Sequence, residues 1–507
     1  MSSKTKRIVS NSISLYIRMV FLLGVTLFTS RVLLDELGFE DFGIFNIVGG
    51  VAAMFVFFNS SLINATQRFL NIELGKGDLL AANVVFNQHL FMYLLVAIII
   101  VVFSETLGVW FVRNELVLPI ERVEAAVWVF RFTMLSLALT LIGVAFDSEI
   151  IAHEDMKIYS YVGVFEGVAK LVIVYLISSS PYDRLILYGF LLFVVTIFIQ
   201  GFYICYSLKK YSECSVRFVF DRKVIKDSVA LVGWNFVGTA VYAINDSGVN
   251  ILLNIFFGPL VNAARAISYQ INAAVSNFGM NFFVSIRPQI VKSYAVRDYD
   301  YLMKLFYASS KYSFYLLWLL SLPIMLNVDY ILKIWQGEVP EYTSIFTILI
   351  LLYSLINILN NPIWSVALAV GKLKKYICLG SGVFFLVFPI SYLFLKLGYE
   401  PYLVLLVMCV VRALYICVVL AIIKEYIPFS FRRYFKDCVF PIFSVVSLSL
   451  FLSYIFYEKV YDIQWLFIVI LSQMFFVLLS IFAIGINKKE RSFMFSLVKK
   501  KIAKGNS

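Results

Sequence analysis

The sequence has few of the residues with which soluble enzymes do their chemistry. Only 15% of its 507 residues are charged, and it contains two histidines and six cysteines. His89 and His153 lie at no metal-ligand spacing from a cysteine, an aspartate or each other. We therefore expect no metal site and interpret the run His153-Glu154-Asp155 as a solvated loop. No G-x-x-x-x-G-K-[ST] sequence occurs, so the chain has no Walker A loop for ATP.

Long polar segments are also missing. The longest connection on the predicted outer side, residues 104–124, is too short for the extramembrane catalytic surface that a membrane-bound polymerase or ligase of glycans needs. The cysteines lie in predicted helices or on the cytoplasmic side, and no C-x-x-C occurs, so no external disulfide is expected. The sequence therefore predicts a protein that is not an enzyme and that carries no cofactor.

Most residues of the chain are apolar. They account for 61% of the chain, and the mean hydropathy is +0.88. Apolar runs of about 20 residues, each long enough to cross a bilayer as a helix, recur along the whole sequence. We predict an all-α, polytopic membrane protein with about 14 transmembrane helices, the first of which is retained rather than cleaved as a signal peptide.

Lysine and arginine are distributed unevenly between the predicted loops. With the N-terminus placed in the cytoplasm, that side carries 29 of them and the other side seven. This asymmetry predicts that both termini are cytoplasmic. The net charge of +12 is then explained by loops that face anionic lipid headgroups, so membrane lipids are expected partners and nucleic acid is not.

A basic segment, residues 209–226, divides the chain. When the second part is laid on the first with an offset of about 216–220 residues, Leu37-Gly38 meets Phe257-Gly258 at the start of a helix. We predict two six-helix lobes in parallel repeat, residues 1–208 and 227–423, followed by two extra helices and a basic tail in residues 424–507. The transport pathway is expected between the lobes.

Polar side chains at helical spacing mark several predicted spans. In the seventh span Asn235, Tyr242, Asp246 and Asn250 share one face. A single intramembrane amide usually makes a hydrogen bond between helices, whereas a stripe of them is typical of a wetted cavity. Asp246 is a candidate for ion coupling or for balancing a cavity arginine. The candidate cavity residues are Arg18, Arg31, Asn46, Asn64, Asn235, Tyr242, Asn250, Arg265 and Asn272.

Short motifs resemble those of a known family. Residues 10–12 read S-N-S, residues 31–33 read R-V-L, and residues 37–43 read L-G-F-E-D-F-G, where the family has L-G-x-x-x-[YF]-G. Residues 257–264, F-G-P-L-V-N-A-A, look like the corresponding turn of the second lobe. The chain thus resembles the polysaccharide flippases of the multidrug/oligosaccharidyl-lipid/polysaccharide superfamily, the Wzx-like O-antigen and capsule exporters.

The resemblance implies a function as well as a fold. Two bundles would rock between inward- and outward-open states and flip an undecaprenyl-diphosphate-linked oligosaccharide, the precursor of O-antigen lipopolysaccharide or capsule, across the bacterial inner membrane. Arg18, Arg31 and Arg265 would meet the diphosphate, amides and aromatic rings the sugars, and the last two helices the lipid tail.

With Asp246 as the ion-coupling candidate, a proton or sodium ion is the expected coupling ion, and a polysaccharide polymerase and a chain-length regulator are the expected partners. Two alternatives stay open, a lipid II flippase and a cation-coupled multidrug exporter of the same superfamily.

Overall fold

The structure is a computed structural model. It describes residues 24–51, 66, 69–70, 73–74, 76–153, 155–217, 241, 245–370, 373–457 and 465–486. Within these ranges all regular secondary structure is helical and no β-strand occurs. In hydrocarbon a helix satisfies its backbone hydrogen bonds internally, which is why so apolar a chain forms little else. The predicted all-α polytopic fold is confirmed.

The residues group by their contacts into two compact units. Unit one is Met1–Ala266 with Ser391–Pro401, and unit two is Ile267–Ile390 with Tyr402–Ser507. This grouping follows contacts, whereas the predicted lobes follow the sequence repeat, so the division at residues 1–208, 209–226, 227–423 and 424–507 stays a prediction.

The helices follow one another with short connections. In unit one, residues 24–51 are helical, and Gly38 within them has a left-handed φ of +75°; the parts before and after it are called α1 (24–37) and α2 (39–51). Unit one also contains α3 (Leu79–Phe103), α4 (Val109–Asn114), α5 (Val123–Ala152), α6 (Met156–Ser178), α7 (Arg184–Lys210) and α8 (245–257). Unit two contains α10 (Tyr299–Leu326), α11 (Val328–Gln336), α12 (Thr343–Asn357), α13 (Asn360–Val370), α14 (Leu373–Phe385), α16 (Tyr402–Ile423), α17 (Phe440–Tyr457) and α18 (Leu466–Ser480). Two helices, α9 (Pro259–Ala295) and α15 (Val387–Lys396), have residues in both units.

Many of these helices are long and apolar enough to cross a membrane. The described residues contain nine such segments, and a tenth if α10 and α11, which meet at an angle of 80°, count as one span. The predicted total of about 14 includes segments outside the described residues and stays a prediction.

The backbone repeats at an offset of 220 residues. Gly38 and Gly258 both have left-handed φ values, +75° and +76°, and each is followed by helical residues. Gly77 and Arg297, with φ of +76° and +59°, lie just beyond helical residues, and each is followed by an aspartate that caps the next helix.

The backbone hydrogen bonds at Gly77 and at Arg297 are also the same. The amides of Gly77 and Asp78 donate to the carbonyls of Leu74 and Glu73, the pattern of a Schellman helix end. The amides of Arg297 and Asp298 donate at the same offsets to Tyr294 and Ser293. The internal repeat predicted from Leu37-Gly38 and Phe257-Gly258 is therefore confirmed at these corners.

The core of unit one is built around α5. The fully buried side chains Phe130, Met134, Leu141 and Ile150 lie along it. A Cβ added to Gly143 of α5 would lie 1.8 Å from the Gln200 amide oxygen of α7, so these helices approach closely where glycine removes a side chain.

In unit two the last two helices pack on α10 through polar contacts. The Trp318 indole N–H donates to Ser449 Oγ of α17 at 3.0 Å, and the Asn327 amide donates to Gln473 Oε1 of α18 at 2.7 Å. Ser449 and Gln473 are fully buried. Because buried polar groups are costly without partners, these bonds fix α17 and α18 against α10.

Glycine also allows α2 to approach the start of α9. A Cβ added to Gly43 would lie 2.0 Å from the Pro259 carbonyl oxygen, whereas a Cβ at Gly49 would meet no atom within 4 Å.

We predict that Gly43→Ala lowers the stability of the detergent-purified protein by about 1–3 kcal/mol, because the clash is with backbone. Gly49→Ala, the matched control, should be neutral or stabilising, since alanine favours a helix by about 1 kcal/mol over glycine. Thermal unfolding of both variants measures the difference. Equal behaviour of the two would contradict the close contact.

Candidate functional site

The seventh predicted span contributes three polar side chains of one face to the described structure. Asp246, Asn250 and Asn254 lie on α8 at intervals of four residues. Four of the predicted cavity residues lie outside the described residues: Arg18, Asn64, Asn235 and Tyr242.

Asn250 links three helices of unit one. Its side-chain amide donates to the Asn46 carbonyl of α2 at 3.3 Å, and its amide oxygen accepts from Asn262 of α9 at 2.8 Å. A Cβ at Gly50 would lie 2.6 Å from the Asn250 amide nitrogen, so glycine makes room for the amide. Asn46 and Asn250 are therefore brought together, with Asn250 joining helices.

Arg265 and Asp246 form an ion pair. Arg265 Nη2 donates to Asp246 Oδ1 at 2.8 Å and to the Asp246 carbonyl at 3.1 Å. The arginine side chain is 8% exposed and the carboxylate 41% exposed. The cation is therefore buried beneath a carboxylate that remains accessible, consistent with the balancing role that the sequence suggested for Asp246.

Asn254 connects α8 to the segment before α5. Its amide oxygen accepts from the Val117 backbone amide at 3.0 Å, and its own amide donates to the Val117 carbonyl at 3.4 Å. The α8 face thus has its three polar residues bonded to α2, to α9 and to this connection.

A charged cluster lies at the end of unit one that carries Gly38. Arg122 donates to Asp41 at 2.7 Å and to Asp183, the N-cap of α7, at 2.5 Å. Partial burial raises the pKa of Asp183, but hydrogen bonds from Arg122 and from the Ile186 amide outweigh it, so the pKa lies below its usual value. This cluster ties α2, α5 and α7 together and was not found from sequence, because Asp41, Arg122 and Asp183 lie far apart along the chain.

Two further predicted residues, Arg31 and Asn272, lie among the described residues. Arg31 is exposed on α1. Asn272 belongs to unit two, where its amide oxygen accepts from Ser354 of α12 at 2.6 Å and from Ser276 at 3.2 Å. Within unit one, the described structure therefore brings together Asn46, Asp246, Asn250 and Arg265.

Among its described residues, unit two contains two buried cations in apolar helices. Arg412, midway along α16, is 5% exposed, donates to the Asn357 amide oxygen and lies 4.3 Å from the Tyr415 ring centroid. Lys311, twelve residues into α10, is 2% exposed and lies 5.1 Å from the Tyr312 ring centroid. Neither residue is among the cavity residues predicted from sequence, although a cation within an apolar run is itself a signal of a functional site.

Residues 153 and 155 lie in a turn, as expected, but their side chains are only partly exposed and are packed against the segment after α7. The His153 ring stacks on Tyr211 at a centroid distance of 4.2 Å, and its Nε2 lies 2.6 Å from Glu213 Oε1. Asp155 accepts hydrogen bonds from Tyr206 and Tyr211. The segment that follows α7 folds back on this turn, and the sequence could not show that contact.

Known structures share this architecture, although no protein-family model and no curated protein matches the sequence. An inward-facing multidrug resistance MATE family transporter of the MOP superfamily superposes with a TM-score of 0.69 at 13% identity, over 80% of this chain and 96% of the transporter. The lipid II flippase MurJ, in an inward closed conformation, superposes with a TM-score of 0.69 at 14% identity, over 93% of this chain and 98% of the flippase. The chain has the fold of these transporters.

Other MATE transporters superpose as well. An outward-facing member superposes with a TM-score of 0.57 at 14% identity, over 82% of this chain. At such identities the likeness concerns the fold, and the substrate must be argued from side chains.

We predict that Asp246→Asn destabilises the protein, because it leaves the buried Arg265 without its carboxylate. Breaking a buried pair costs about 3–5 kcal/mol, and the partial exposure of Asp246 places this loss toward the lower value. The double variant Asp246→Asn/Arg265→Gln should recover most of it.

Glu105→Gln is the control, since Glu105 and Arg131 form a more exposed pair at 3.0 Å in the same unit. Apparent melting temperatures in detergent compare the three variants. If Asp246→Asn lowers the melting temperature no more than Glu105→Gln does, the Arg265–Asp246 pair does not contribute to stability.

Proposed function

We propose that the protein is a flippase of the MOP superfamily that moves an undecaprenyl-diphosphate-linked oligosaccharide from the inner to the outer leaflet by alternating access. The observation that carries the proposal is the buried Arg265 capped by the accessible carboxylate of Asp246. A carboxylate in that position can exchange with a phosphate, which offers the guanidinium more acceptor oxygens. Arg18, one of the predicted cavity cations, would contribute to the same anion.

The sign of the buried charge supports an anionic substrate. Arg265, Lys311 and Arg412 are the buried cations of the described residues, while the buried acids there are Glu149 and Glu213. A multidrug exporter of organic cations would need an available carboxylate in its cavity, and Asp246 is engaged with Arg265. This observation favours the flippase over the exporter.

The C-terminal helices support a lipid-linked substrate. An apolar groove with a volume of about 510 Å³ lies on unit two, lined by Leu326 of α10 and by Leu450, Phe451, Ser453 and Tyr454 of α17. Such a groove suits a polyprenyl tail. The superposition on the lipid II flippase also covers more of this chain than those on MATE transporters, by about the length of the C-terminal helices.

A lipid II flippase is the second candidate, because lipid II also combines a diphosphate, sugars and a polyprenyl tail. The chain would work in the bacterial inner membrane with both termini cytoplasmic, beside a polymerase and a chain-length regulator. These assignments rest on the loop charges and on the resemblance.

Asp246 supplies a route to energy coupling in this proposal. When a phosphate engages Arg265, the released carboxylate can bind a proton or a sodium ion, which leaves as the pair reforms. Flipping by the purified protein should then depend on a proton or sodium gradient and lose that dependence in Asp246→Asn. Unchanged gradient dependence in the variant would remove Asp246 from this role.

We predict that Arg265→Gln slows flipping roughly ten-fold to over a hundred-fold, the equivalent of the 1.5–3 kcal/mol of a hydrogen bond to a charged group. Arg265→Lys should retain more activity, because it keeps the charge. The rate is measured in proteoliposomes as the appearance of a fluorescent undecaprenyl-diphosphate oligosaccharide in the opposite leaflet.

Arg131→Gln, which removes an arginine paired with Glu105 in the same unit, is the control and should retain activity. A wild-type rate in a well-folded Arg265→Gln variant would contradict the proposed anion site.

A further inference from the structure

Three potential metal ligands converge at the end of unit one where α5 stops. Glu149 lies in the last turn of α5, His153 is its C-cap, and Glu213 lies in the short turn Ser212–Cys214 that follows α7. His153 Nε2 is 2.6 Å from Glu213 Oε1 and 3.9 Å from Glu149 Oε2. The donor atoms of all three residues lie within 4.8 Å of one another.

Glu149 is the unusual member of this group. Its side chain is fully buried, and neither of its carboxylate oxygens has a hydrogen-bond partner among the described residues. Buried polar groups in proteins are almost always satisfied, and a buried carboxylate is costly without a positive partner. Because Glu149 and His153 are four residues apart on the helix, their side chains point toward the same place. A cation bound there would satisfy the carboxylates of both Glu149 and Glu213.

The surroundings hold the ligands in position. The Tyr211 ring stacks on His153 with an interplanar angle of 7°. Asn83 of α3 donates to the backbone carbonyls of Glu213 at 2.5 Å and Ser215 at 2.7 Å. His153, 32% exposed, is the accessible side of the group, while Glu213 is 3% exposed. Packing and hydrogen bonds thus preorganise the ligands and leave one direction for entry.

We propose that Glu149, His153 and Glu213 form a binding site for a divalent transition-metal ion of the zinc type. One imidazole and two carboxylates suit such an ion, since magnesium and calcium prefer oxygen ligands alone. Tetrahedral zinc bonds of about 2.0–2.2 Å require donor atoms about 3.3–3.6 Å apart, so His153 and Glu213 would separate and Glu149 would move slightly closer. A water molecule would complete the four-coordinate shell.

The bound ion would attach the chain after α7 to the end of α5. That chain enters the basic segment 209–226, so the ion would fix where the connection to the second half of the protein begins. The alternative is an ordinary ion pair between His153 and Glu213 beside a protonated Glu149, and it predicts no specific metal affinity.

The test uses the full-length detergent-purified protein without a polyhistidine tag, dialysed against chelator and titrated with zinc chloride. Because the chain has two histidines, ¹⁵N-histidine NMR yields two sets of ring signals, and only the His153 set should shift on binding one equivalent. Glu149→Gln, which keeps the shape of the side chain, and His153→Gln should each weaken binding at least ten-fold.

Glu166→Gln is the matched control, because Glu166 pairs with Lys170 at 2.7 Å on α6 of the same unit. It should bind zinc like the wild type. Absence of stoichiometric binding, unchanged affinity in Glu149→Gln, or a shift confined to His89 would each overturn the site. The wild-type NMR result decides the question even if a variant fails to fold.

Discussion

The burial of Arg265 constrains how the helices around the candidate site in unit one can pack. A guanidinium in an apolar helix bundle needs an acceptor, and Asp246 supplies both its carboxylate and its backbone carbonyl. One turn further along α8, Asn250 bonds to α2 and α9, and after another turn Asn254 bonds to the connection before α5. The polar face of α8 therefore holds its neighbours by hydrogen bonds, which in hydrocarbon cannot be exchanged for water.

This arrangement bears on the proposed transport because the ion pair is asymmetric. Arg265 is buried and Asp246 is not, so an incoming anion would replace the carboxylate without exposing the guanidinium. The free energy gained on binding is then only the difference between the interaction of Arg265 with the anion and its interaction with the Asp246 carboxylate. Because that difference is small, binding stays reversible. The apolar groove beside α17 offers a separate surface for a lipid chain, so headgroup and tail would be recognised by different physical means.

The sequence predicted the features that depend on local pattern. Apolar run length predicted the membrane helices. The pairing of Leu37-Gly38 with Phe257-Gly258 predicted a repeat, and both glycines have the same left-handed backbone conformation. Four-residue spacing placed Asp246 and Asn250 on one face. These properties are encoded within a few turns of chain.

The partners of these residues were beyond prediction. Asn250 bonds to a carbonyl 204 residues earlier, and His153 contacts Glu213 across 60 residues. Both contacts depend on how helices pack, and the stripe on α8 is equally compatible with water or with a neighbouring helix. For the same reason the expected solvated loop at His153 is a packed turn.

The most direct test of the account is substrate binding to the purified protein, measured by native mass spectrometry. An undecaprenyl-diphosphate-linked oligosaccharide should bind, and its affinity should fall at least ten-fold when the diphosphate is removed or when Arg265 is replaced by glutamine. Binding of an organic cation in preference to the diphosphate lipid, or equal binding of the lipid with and without its diphosphate, would contradict the central claim that Arg265 recognises an anion.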